Sequence, residues 1–222
     1  MSCFLSNSSL GKKLVMSVTG MFLVLFILFH MSMNITAIIS PEAYNMICEL
    51  LGANWYALAG TAVLALGVFV HFFYAVILTL NNYKARGSQR YAVTVQEPGV
   101  AWASKNMLVL GFIILGGLLI HLFNFWYNMM FAELTGISVA HDPADGFAYI
   151  VDTFANPVYV VLYIVWIVAI WFHLSHGFWS AMQTFGWNGK VWFTRWKVIG
   201  LVYSTLLMLG FLVVVLAFAF GI

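Results

Sequence analysis

Five of the six histidines in this 222-residue chain lie inside apolar runs long enough to cross a bilayer. They are His30, His71, His121, His173 and His176; the sixth, His141, sits in the polar stretch HDPADG and reads as a solvated loop residue. An imidazole in hydrocarbon is costly unless something binds it, so such a residue marks a functional site by default. Counted from the boundary of each run on one side, His30 is 11 residues in from Pro41 and His121 is 12 in from Glu133. His71 is 16 in from Trp55, and His173 is 17 in from Asn156. At about 1.5 Å per residue these positions form two layers, about 17 Å and about 25 Å deep. The first and third runs share the outer layer; the second and fourth share the inner one.

Two level imidazoles on facing helices are what axial ligation of a haem iron requires. The porphyrin supplies four equatorial nitrogens and each helix one axial nitrogen. Two layers imply two haems, one above the other, and a route for electrons across the membrane. A single membrane histidine more often only packs; the pairing by depth is what points to ligation. Proton relays and transition-metal transporters also use membrane histidines, usually with embedded acids. Here all seven acids fall outside the apolar runs. His176 lies one turn from His173, about 60° around the helix. Either could ligate on geometry, although His176, 20 residues from Asn156, matches the depth of His71 less well.

The composition says what must carry these residues. The chain is 64% hydrophobic and 7% charged, against about 25% charged in a soluble domain. This excludes a soluble core and gives nothing that would recognise nucleic acid. Five apolar segments, near residues 14–38, 55–80, 107–131, 156–185 and 198–220, are each long enough to span. They show no period-2 alternation, so the expected fold is all-α: one integral membrane domain of five transmembrane helices, in a bundle enclosing two haems. Residues 39–54 and 132–155 are expected as loops. Glycines 60, 67, 111, 116, 117 and 177 near the histidines suit close helix packing or room for a planar cofactor.

All nine basic residues lie before the first span, between the second and third, or between the fourth and fifth. The two remaining loops hold six of the seven acids and no Lys or Arg. By the positive-inside rule the N-terminus is cytoplasmic and the C-terminus lies outside. No cleavable signal is evident, because the first apolar run is too long for one. The two cysteines, Cys3 and Cys48, form no CxxCH, which excludes covalent c-type haem.

The segments SSLGKKLVMSVTGMFLVLFILFH, HFFYAVILTLNNYKAR, GFIILGGLLIHLFNFW and FHLSHGFWSAMQTFGW resemble the cytochrome b membrane anchor of succinate dehydrogenase/fumarate reductase, in its five-helix, dihaem form. The resemblance covers nearly the whole chain. It implies a distal haem b between His30 and His121 and a proximal one, nearer the cytoplasm, between His71 and His173. The family pattern FHxSxGxW selects His173 and leaves His176 as an extra histidine. Ser17 resembles a position that contacts a proximal haem propionate. Glu133 and Glu49 stand near the level of the family's quinone site.

The resemblance further implies a bacterial inner membrane and a quinone substrate, menaquinone above all. It implies a flavoprotein subunit carrying FAD and an iron–sulfur subunit, docked on the cytoplasmic face through residues 81–106 and 185–197. No succinate-oxidising site is expected in this chain; its part is electron transfer. Residues 81–106 could equally rest on lipid headgroups. Dimerisation of the complex and the physiological direction stay open. Two other readings use the same histidines: a transporter or metal-handling protein, and a haem-b anchor for a hydrogenase or formate dehydrogenase.

Overall fold

A computed structural model of the chain describes residues 8–86 and 102–221, the Arg86 side chain excepted. Regular structure among them is helical throughout. Helices α1 (Ser9–Ile39), α2 (Pro41–Leu50), α3 (Trp55–Arg86), α4 (Trp102–Lys105) and α5 (Met107–His121) come first. The last of these runs on through a π-helical stretch, Leu122–Phe131, into α6 (Ala132–Thr135). Then follow α7 (Gly146–Ala155), α8 (Pro157–Thr184) and α9 (Lys190–Phe220). Among the described residues, five helices are long and apolar enough to cross a membrane: α1, α3, the continuous Met107–Thr135, α8 and α9. The chain is an all-α, multi-pass membrane protein.

The spanning helices outrun the apolar segments read from sequence. The helix α9 starts at Lys190, eight residues before the apolar run at Val198. There its aromatic and basic side chains stack on one another. Arg195 lies 5.2 Å from the Trp192 ring, and Lys197 lies 4.3 Å from Phe193 and 5.0 Å from Trp179. Long cationic stems over aromatic rings carry a helix past the hydrocarbon without leaving its polar atoms dry.

The two stretches expected as loops contain the ten-residue helices α2 and α7. Each has a start signal. The Ser40 hydroxyl accepts from Ala43 N at 3.1 Å with Pro41 in the first turn, and Asp145 Oδ1 accepts from Ala148 N at 3.1 Å. Such caps satisfy amide groups that the helix itself leaves open. The two helices are tied to each other through Asn45, whose Nδ2 donates to Asp145 Oδ1 at 2.7 Å and whose Oδ1 accepts from Phe147 N at 2.9 Å. Gly146 permits the contact, since a Cβ there would sit 2.4 Å from Cys48 Sγ. His141 belongs to the same face. Its Nε2 is 2.5 Å from Asp152 Oδ2 and its carbonyl accepts from Tyr149 Oη at 2.8 Å, so it is held against α7 rather than simply solvated.

Four of the spanning helices form a ring of neighbours. Helix α1 packs on α3 and α8, α5 packs on α8 and more lightly on α3. This leaves α1 opposite α5, and α3 opposite α8. The fifth, α9, lies outside the ring against α8 and α1. The buried core follows that asymmetry: Val24 of α1, Ile167, Leu174 and Phe178 of α8, and Leu207, Met208 and Val215 of α9 form one cluster. In contrast, no residue in the most apolar stretch of α3 is buried.

Burial pushes the Cys48 thiol up to about 11, so the thiolate is scarce at pH 8, and the thiolate is the reactive form. Cys48 is therefore expected to alkylate far more slowly at pH 8 in the folded protein than after denaturation. Mass spectrometry of the labelled Cys48 peptide checks this; equal rates would contradict the packing of α2 on α7.

Candidate functional site

The ring of helices has two diagonals, and each is spanned by a pair of histidines. His30 of α1 and His121 of α5 meet with ring centroids 5.6 Å apart and planes at 82°. His71 of α3 and His173 of α8 meet at 6.2 Å and 68°. These are the two pairs that equal depth gives from the sequence. The ring that faces His71 is that of His173. The His176 ring lies instead against Trp179, at 4.7 Å, on its own helix.

The layers are read off α1. Thr19 and Gly20 touch His71, and His30 lies eleven residues beyond Thr19 on the same helix. At helical rise that separates the layers by about 16 Å, about twice the spacing that the depth counts from the segment ends give. The outer pair is ringed by aromatic side chains. Phe26 stacks on His30 at 5.4 Å and Phe211 approaches it at 5.8 Å; Phe125, Trp166 and Tyr163 lie 5.2, 5.5 and 6.3 Å from His121.

Polar accounting shows what the imidazoles lack. Nδ1 of His121, His173 and His176 is buried with no hydrogen-bond partner among the described residues. A buried nitrogen left so needs an explanation. His71 Nδ1 is 3.2 Å from Thr19 Oγ1, and His30 Nδ1 is 3.5 Å from Asn34 Nδ2, at the limit of a hydrogen bond. The side-chain hydrogen bonds to the four paired rings thus run to Nδ1.

The spacing tests which metal group the pairs could hold. With metal–imidazole bonds of about 2 Å and ring centres about 1 Å beyond the nitrogen, two axial imidazoles on one iron have centres about 6 Å apart. Both diagonals fit. Among the described residues no three His, Cys, Asp or Glu side chains come together as a metal-binding group. Two imidazoles leave an ion undercoordinated unless a macrocycle completes it, as a porphyrin does. The donor set suits bis-imidazole haem, with His30 and His121 for one and His71 and His173 for the other.

The other expected site residues fall as follows. Ser17 is buried on α1, two turns before buried Val24. Glu133 Oε2 accepts from Ala53 N at 3.0 Å, which fastens the end of Met107–Thr135 to the turn before α3. Glu49 is exposed at the end of α2. Residues 87–101 of the expected docking loop lie outside the described residues. Of the glycines, Gly117 meets Trp166 and Gly67 meets Phe22, whereas Gly60, Gly111, Gly116 and Gly177 have open space where a Cβ would project.

Sequence reasoning passed over Thr19 and Gly20, which lie directly against His71. A glycine beside a threonine inside an apolar helix is the available signal, because it marks close approach of another chain segment. It also passed over the π-helical stretch that begins one residue after His121. Such stretches frequently mark functional sites. Here Asn128 Nδ2 donates to the Phe123 and Asn124 carbonyls, and buried Asn124 faces Tyr163 Oη at 3.4 Å.

No family model, no curated protein and no solved structure matches the chain.

Trp166 closes α8 onto α5, its indole N–H donating to the Ile114 carbonyl at 3.0 Å. A Cβ at Gly117 would lie 2.1 Å from that ring. Gly117→Ala is expected to cost about 1–3 kcal/mol and to lower the thermal midpoint in detergent. An unchanged midpoint would contradict this packing beside His121.

Proposed function

We propose that this chain is a dihaem cytochrome b anchor of a succinate:quinone oxidoreductase, succinate dehydrogenase or fumarate reductase. The carrying observation is the geometry of the two diagonals: two imidazole pairs, 5.6 and 6.2 Å apart, at two depths. The quoted sequence segments point to the same family. In this reading the two haems b supply one-electron carriers at two levels of the membrane.

The work of the chain is to hold and tune them. His71 and His173 would hold the proximal group, and His30 and His121 the distal one. Burial among Phe26, Phe125, Trp166 and Phe211 excludes water from the distal level, and burial is one lever on haem potential. Electrons would enter from an iron–sulfur subunit and leave to a quinone near the opposite face, or run in reverse. FAD and succinate chemistry belong to a flavoprotein subunit.

The clustering of Lys and Arg supports a cytoplasmic N-terminus, with the soluble subunits on that side; the bacterial inner membrane rests on the family resemblance. Quinone reduction takes up two protons, so its site needs a polar route to water. The acid-rich outer face, with Glu133, Glu49, His141 and Asp142, is the proposed location, and menaquinone the proposed substrate. Glu133→Gln is the test of that residue, since a carboxylate that moves protons is not replaced by an amide.

Replacement of the paired histidines tests the whole reading. His173→Ala is expected to lose one of two b-type absorbances in dithionite-reduced spectra, and His176→Ala to keep both. Retention of both haems in His173→Ala would refute the assignment.

A further inference from the structure

We infer that Thr19 is a positioning residue for His71: its hydroxyl accepts a hydrogen bond from the imidazole Nδ1–H, and so leaves Nε2 as the free, ligating nitrogen. The inference rests on the dihaem reading and adds to it a residue outside the four ligands.

The hydroxyl has one proton. Thr19 Oγ1 lies 2.8 Å from the Val15 carbonyl and 3.1 Å from the Met16 carbonyl, on its own helix, and 3.2 Å from His71 Nδ1. Carbonyl oxygens only accept, so the proton goes to them, the shorter bond being to Val15. The lone pairs that remain face the histidine. A neutral imidazole that meets an acceptor at Nδ1 carries its proton there and presents Nε2 as a lone pair. The contact is also sterically prepared. A Cβ on Gly20 would lie 3.1 Å from His71 Cε1 and 3.5 Å from Nδ1, so glycine at this position lets the ring approach the α1 backbone.

None of the other three paired rings has an equivalent. Nδ1 of His121 and of His173 has no partner among the described residues, and His30 meets only an amide nitrogen at 3.5 Å. Thr19 therefore acts on one layer alone. A hydrogen bond accepted from the remote N–H makes the ring a stronger donor through its other nitrogen, and holds its orientation. Stronger donation favours ferric iron, which lowers the potential.

The test is redox titration of the purified protein with optical detection, on wild type, Thr19→Val and Thr19→Ser. Thr19→Val is expected to raise the midpoint potential of one haem and leave the other unmoved; Thr19→Ser is expected to restore the wild-type value. Thr19→Ala removes the hydroxyl without crowding the helix and is expected to give the same upward shift should the valine variant fail to assemble. Two haems at wild-type potentials in the valine or alanine variant would overturn the role of Thr19 and leave the dihaem reading standing. A wild-type protein without haem would instead overturn that reading, and this inference with it.

Discussion

An imidazole in hydrocarbon is costly without a partner, and four of them in this protein are set ring to ring in two pairs. Each histidine is carried by a different spanning helix, and each points at another across the ring. Helices α1 and α5, and α3 and α8, face one another instead of packing side by side. The imidazoles supply the cross-contacts that backbone packing does not. The rest of the fold packs around these four helices. Helix α9 packs on α8 and α1 from outside and with them builds the main buried cluster. The short helices α2 and α7 tie the outer ends together through Asn45 and Asp145.

The two layers are built differently. The outer pair is surrounded by aromatic rings, with Asn34 near His30 and the Asn124–Tyr163 contact beside His121. The inner pair has fewer aromatic neighbours, and one of its rings meets a hydroxyl on α1. Axial ligand, burial and second-sphere hydrogen bonds are the means by which a protein separates haem potentials. In the proposed dihaem reading, identical ligand types at both levels would leave burial and hydrogen bonding as the differences between them.

The spanning helices and the histidine pairs were legible in the sequence for one reason. In a membrane, length and polarity are nearly the whole code, and depth is a count of residues from the last polar one. The separation of His173 from His176 was less secure, because a turn of helix changes depth by little; side-chain direction decides it, and His176 turns to Trp179. Helices α2 and α7 were missed because each is only ten residues and was judged by hydropathy, although Ser40–Pro41 and Asp145 mark their starts. The π-helical stretch has no composition signal of its own. Thr19 and Gly20 mark a close approach in the sequence, but nothing local names the partner, since the contact with His71 spans 52 residues of chain.

The most direct measurement is the cofactor content of the purified chain, by pyridine haemochrome assay against protein concentration. The account predicts two non-covalent b-type haems per polypeptide. A protein purified from haem-replete cells with no haem, or with haem that survives acid–acetone extraction, would contradict it.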